Sequence, residues 1–207
     1  MRPDDTAQFR HARLVLLLLV VAEWDHGGVD AERLAIYDFL AEHPLLLARR
    51  GDDPDRFALR LAGFDDRALA YASPAQRFTA ARLCLARDLA ALIGQGLVRV
   101  TAAGRVRYRL TPEGVAVANQ FNSTYAHAYM TAGRIVVRRV RRLSGRGLRE
   151  NLRQWLTPVA DMPVGALHAA DVSGDDDDLD ASGRGGRPGR TTYPKGTKRT
   201  AIPRGRA

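Results

Sequence analysis

The chain has 207 residues, of which 45% are hydrophobic, with one cysteine and a formal net charge of +9. That length builds one domain with extensions or two small domains. The lone Cys84 excludes an intrachain disulfide and finger-type thiolate metal sites, and it fits a reducing cytoplasm. The positive balance favours an acidic partner such as nucleic acid. It is also localised. Residues 1–133 carry 16 basic and 15 acidic side chains, and residues 157–207 carry 8 and 7. Residues 134–156 carry 8 arginines against Glu150 alone.

Residues 1–7 are expected to fray. Residues 9–24 read as a helix that is apolar nearly all round, and therefore central in the core. Its run over 14–22 is too short to span a bilayer. Arg10, His11 and Arg13 precede that run as they would in a signal peptide, but Asp4 and Asp5 stand upstream and no secretory cysteine pattern follows. A buried helix is the expectation, with no membrane partner. Asp25-His26-Gly27-Gly28 breaks it, and Asp30 caps a second helix over 31–42. His43-Pro44 ends that one, because the residue before proline avoids helical angles. Residues 45–72 are less regular. Asp52-Asp53-Pro54-Asp55 reads as a turn, and Phe57, Leu59, Leu61 and Phe64 suit a strand-like run or a loop.

The most informative stretch is 73–115. Ser73-Pro74 opens a helix whose apolar face is Phe78, Ala81, Leu85, Leu89 and Leu92, with Cys84 as a small filler. Gly94 or Gly96 stops it. Residues 97–100 and 106–110 then read as a hairpin turning near Gly104. In the second strand Val106, Tyr108 and Leu110 alternate with Arg105, Arg107 and Arg109. Thr111-Pro112-Glu113 starts another helix. Helix, hairpin, helix is the latter part of a winged helix, so the fold class is mainly α with a small β-hairpin: a winged-helix domain over 1–121 and a helical extension over 122–156. In that extension a long helix runs to Leu143, with Tyr129, Ala132, Val136, Val140 and Leu143 on one face and Arg134, Arg138, Arg141 and Arg142 nearly opposite. Ser144-Gly145-Arg146-Gly147 interrupts it before a short last helix over 148–156. From Thr157 the composition becomes that of a disordered charged tail, acidic at Asp175–Asp178 and basic at the end.

No enzyme constellation is present: the sequence has no GxxxxGK[ST] loop, no GxSxG and no HExxH. No catalytic residue, cofactor site or metal site is assigned; the acidic run in the tail reads as solvated. The candidate binding residues are arginines. Arg105, Arg107 and Arg109 lie on one side of the hairpin, where they meet phosphates or simply wet an outer strand face. Arg134, Arg138, Arg141 and Arg142 share a helix face without local acids, and tolerated like-charge repulsion points to an acidic partner, protein or DNA. Gln76, Thr79, Arg82 and Arg87 are the groove-reading candidates on the central helix, with Asp88 counting against base reading.

The order of segments resembles the middle component of bacterial ABC-three-component conflict systems, in which a small helical winged-helix protein accompanies an SMC/Rad50-like ATPase and often an effector. The resemblance rests on residues 9–19 followed by 29–40, on 82–100 ending in Gly96-Leu97-Val98, on Arg107-Tyr108-Arg109, and on Asn122-Ser123-Thr124-Tyr125-Ala126-His127-Ala128-Tyr129 leading into a long helix. It covers residues 9–156. It implies a non-catalytic adaptor, similar in role to kleisin-like or kleisin-associated subunits, that docks on the ATPase and helps gate DNA or an effector. The arginine-dense helix and the charged tail depart from that pattern. A winged-helix transcription regulator is the alternative. On either reading the arginine-bearing helix is expected to project as a cationic handle.

Overall fold

Thr6 accepts the Phe9 backbone N–H and starts α1 (Ala7–Ala22), whose residues 13–18 are all buried. The computed structural model describes residues 6–65, 73–102 and 104–157. Residues 1–5, 66–72 and Ala103, and the tail expected beyond Thr157, lie outside them. Asp30 caps α2 (Ala31–Glu42) through the Arg33 N–H at 2.8 Å. A short 3₁₀ turn (Pro44–Leu46) follows, and then α3 (Pro54–Leu61). The acidic cluster read as a turn is thus a helix start: Asp53 is the N-cap, its side chain accepting the Asp55 N–H at 2.9 Å, and Pro54 occupies the first position. The run Phe57, Leu59, Leu61 is helical, with Leu59 buried and its two neighbours exposed. A short amphipathic helix with two outward apolar groups mimics strand alternation in the sequence.

Next comes α4 (Pro74–Gly94), which buries Leu85, Asp88, Leu89 and Leu92 and sets Phe78 edge-on to Phe39 of α2 at 5.4 Å. Ser73 stands at its N-cap position, but its side chain makes no capping bond. Gly96, at φ +74°, closes α4: the Leu97 N–H returns to the Leu92 carbonyl and the Gly96 N–H to Ile93. Then β1 (Val98–Thr101) pairs antiparallel with β2 (Arg107–Leu110) in the register Val98–Leu110, Arg99–Arg109, Val100–Tyr108 and Thr101–Arg107. Directly paired residues share a face, so Val98, Val100, Tyr108 and Leu110 form one side and the arginines the other. The far edge of β2 is also occupied. Val29, between α1 and α2, exchanges two backbone hydrogen bonds with Tyr108, at 3.0 and 2.8 Å. Thr111 then caps α5 (Pro112–Ala118): its hydroxyl donates to the Gly96 carbonyl and accepts the Gly114 N–H. Gly114 is required there, since a Cβ would stand 2.1 Å from the Leu97 carbonyl oxygen.

Ser123 caps α6 (Thr124–Val140), three residues shorter than the helix expected to run to Leu143. Tyr129, Ala132, Val136 and Val140 are buried as one face. The helix packs on both α1 and α2 and does not project as a handle. The segment assigned to a helical extension supplies a central core element through its apolar face, and all described residues belong to one compact unit. Ser144, read as part of an interruption, instead caps α7 (Gly145–Leu156), whose Leu148 and Leu152 join the core.

A buried polar junction ties the helices together. Arg13 of α1 donates to both oxygens of Asp38 on α2, at 3.2 and 2.7 Å, and pairs with Glu42 at 2.9 Å. The Tyr129 hydroxyl of α6 donates to the same Asp38 at 2.6 Å. Beside this junction His43 is buried. Desolvation, with Arg77 and Arg13 nearby, pushes its imidazole from 6.5 down to about 4. Asp88 of α4, 2% exposed, faces inward and accepts two bonds from Arg10.

Two stability predictions follow from this junction. Asp38→Ala leaves Arg13 and the Tyr129 hydroxyl without their shared acceptor and should cost about 3–5 kcal/mol in denaturant unfolding. His43 has a folded value below its unfolded one, so its contribution is complete above pH 6.5 and declines as pH falls toward 4. Replacing it by Phe should flatten the stability profile across that window, measured as Tm against pH.

Candidate functional site

The seven arginines singled out by the sequence divide into two groups in the fold. Arg105, in the turn before β2, is exposed. Arg107 bonds Asp25 at 3.1 Å and the Gly28 carbonyl at 3.2 Å, which fixes the hairpin against the loop between α1 and α2. Arg109 is half-buried, and its Nε has no hydrogen-bond partner among the described residues. Arg141, just past the end of α6, stacks its guanidinium over Trp24 at 4.8 Å, and its Nε is likewise unpartnered. These four arginines come together around one cleft at the foot of the hairpin, of about 290 Å³, and a neighbouring concavity on the arginine face of β2. Arg142 is exposed nearby in sequence.

The second group is engaged inside the chain. Arg134 donates to both carboxylate oxygens of Glu23, at 2.9–3.1 Å. Arg138 bonds Asp55, and its neighbour Arg139 bonds Asp53, Asp55 and the Leu47 carbonyl. The Arg139 guanidinium holds the Asp53 carboxyl below its ordinary value. Like charges along α6 are therefore tolerated because acids distant in sequence, at the end of α1 and the start of α3, neutralise them. An outside acidic partner is not needed to explain that face.

Other arginines reach the cleft. Arg33, the third residue of α2, donates to the Tyr37 hydroxyl and to the Arg141 and Leu143 carbonyls, so it ties α2 to the end of α6. A second concavity lies between the hairpin turn and the first turn of α7, and there Arg33 and Arg105 are joined by Arg146 and Arg149. Arg149 pairs with Glu32 at 3.0 Å. The sequence carried a signal for the α7 residues: Arg146, Arg149 and Arg153 stand at i, i+3 and i+7, one helix face. No such signal marked Arg33, whose position depends on tertiary packing.

On the exposed side of α4 lie Gln76, Thr79, Arg82 and Arg87, although the Thr79 hydroxyl donates back to the Ala75 carbonyl at 2.9 Å. Asp88, counted against base reading, is withdrawn from that side by Arg10. Among the described residues no group of three or more His, Cys, Asp or Glu side chains is arranged to hold a metal ion, and no helix is long and apolar enough to cross a membrane. Comparison with protein-family models, with curated proteins and with solved structures returns no match.

The α6 clamp is testable as a structural element. Removing both charges with Asp53→Asn and Asp55→Asn should lower stability by about 1–3 kcal/mol in chemical denaturation. Added salt should narrow the gap to the unaltered chain, because these pairs are partly open to solvent.

Proposed function

We propose that this chain is a non-catalytic adaptor with a winged-helix core. It docks on an SMC/Rad50-like ATPase in a bacterial anti-phage or anti-plasmid defence complex and touches nucleic acid through its hairpin. The observation that carries the winged-helix reading is the Val29–Tyr108 bridge. It brings one residue between α1 and α2 to the far edge of β2, at the place where this reading puts a first strand, in the order helix, bridge, helices, hairpin. The partner assignment rests on the segment resemblance described above. Exposed Phe57, Leu61 and Leu83 supply apolar contact area for a protein partner, and an effector subunit would complete such an assembly. The role needs no cofactor.

A winged-helix transcription regulator is the second reading, favoured by one observation. The α4 face with Gln76, Arg82 and Arg87 is open, and Asp88 does not repel phosphates from it. The two readings differ in what binds. If a coiled-coil ATPase is encoded beside it, an adaptor should co-elute with that ATPase when the two are co-expressed. Failure to associate in the nucleotide-free, ATP-bound and ADP-bound states would refute that role. A regulator should instead give a base-specific footprint on its own promoter.

A further inference from the structure

The described concavities share residues, and the sharing traces a path. Arg105 lines three of them: the one on the β2 arginine face, the cleft at the foot of the hairpin, and the groove before α7. Glu32 and Arg149 line both that groove and the next, which lies between α7 and α4 and contains Arg153 and Arg82. From β2 across α7 to the open side of α4 the lining is therefore continuous. Nine arginines and three acids contribute to it.

From this we infer that the nucleic-acid surface of the protein is an arginine track running from Arg109 and Arg105 of the hairpin over Arg146 and Arg149 of α7 to Arg82 of α4. Its ligand is the sugar-phosphate backbone, held without base reading. Arg134, Arg138 and Arg139 of α6 take no part: none of them lines these concavities, and Glu23, Asp53 and Asp55 pair with them. This rests on the reading that the chain touches nucleic acid, and adds where it does so and through which chemistry.

Three observations favour a phosphate backbone over an acidic protein. The track carries a net excess of arginine, nine against three lining acids, even with Arg149 paired to Glu32 and Arg107 to Asp25, whereas the centre of a protein interface is depleted in charge. Trp24 and Val106 are its only large exposed apolar side chains among the described lining residues, and Trp24 is already capped by Arg141. Arginines drawn from the hairpin, α7 and α4 form an extended row, which suits a repeating polyanion better than a single carboxylate. Asn and Gln, the side chains that read adenine, are missing from the lining, so adenine selection is not expected.

The test uses the full chain and fluorescence anisotropy with two short duplexes of unrelated sequence and one single strand. Arg105→Ala, Arg146→Ala and Arg149→Ala combined should weaken binding to both duplexes by about tenfold or more at moderate salt. The slope of log affinity against log salt should become shallower by roughly two to three. Arg134→Gln with Arg138→Gln should leave affinity within about twofold, since neither contacts a phosphate. Circular dichroism melts establish that each variant is folded. The form, duplex or single strand, that suffers the larger loss is the one the track holds.

An unchanged affinity in the folded track variant would overturn the assignment, as would a loss confined to the Arg134/Arg138 variant or to one duplex sequence. If the unaltered chain binds none of the three probes, the nucleic-acid contact itself fails and the track with it, while co-elution with the ATPase is still judged separately. An acidic protein partner lost in the track variant, in a chain without DNA affinity, would reassign the surface and refute the proposal.

Discussion

Asp38 is the acceptor on which the packing of three helices converges. It is buried, yet it receives Arg13 from α1 and Tyr129 from α6 while being carried by α2. A carboxylate in that position is costly unless its lone pairs are filled, and here both oxygens accept. The geometry of filling them fixes the rotation of α1 and α6 about their axes. Apolar packing alone would not do so, since α1 is buried over most of its circumference and offers no single face. Glu42 takes up a further nitrogen of the Arg13 guanidinium, and Asp88 repeats the arrangement one turn back on α1, where it holds Arg10 of that helix against α4.

The arginines of this chain do two kinds of work, and their partners tell them apart. Where an acid approaches from another element, the guanidinium becomes a strut: Arg134 to Glu23, Arg139 to Asp53 and Asp55. Each strut reaches across more than eighty residues of sequence. Where an aromatic ring is the partner, as for Arg141, the positive charge is held in place without being cancelled, and Arg33, which also lies 3.7 Å from Asp30, is fixed mainly by backbone carbonyls. The surface left positive consequently draws on only part of the arginine-dense segment 134–156: Arg141, Arg146, Arg149 and Arg153 line it, whereas Arg134, Arg138 and Arg139 serve as struts.

The distinction marks how far the sequence could be read. Local rules located most helices and the hairpin. Asp30, Thr111 and Ser123 cap as their side-chain chemistry requires, the alternation of Arg107, Tyr108 and Arg109 sets the strand faces, and Tyr129, Ala132, Val136 and Val140 form the buried side of α6. These features depend on residues three or four apart, or alternating. What stayed hidden depends on residues far apart. Arg13 resembles the basic flank of an apolar run until Asp38 is seen beside it. The acidic turn at 52–55 looks like a loop until Asp53 is seen to cap α3 and bind Arg139. Of the seven candidate arginines, Arg105, Arg107 and Arg141 come to one cleft, with Arg109 in the concavity beside it, because two loops and a helix end meet there, which no spacing rule expresses.

The cationic surface owes its shape to the same tertiary ties. Val29 pins the hairpin to the entry of α2, and Arg107 fastens it again through Asp25 and the Gly28 carbonyl. No side chain is tolerated at Gly28, where a Cβ would sit 2.5 Å from the Tyr108 carbonyl oxygen at φ +86°. Arg33 meanwhile binds the carbonyls at the end of α6, where a helix concentrates negative potential, and so sets the direction in which α7 departs. Hairpin and α7 are thus both referred to the first turn of α2. Arginines separated by some forty positions, such as Arg105 and Arg146, share a groove because each hangs from that turn. Their backbone positions are set before any ligand arrives, so only the exposed side chains remain to be ordered on binding.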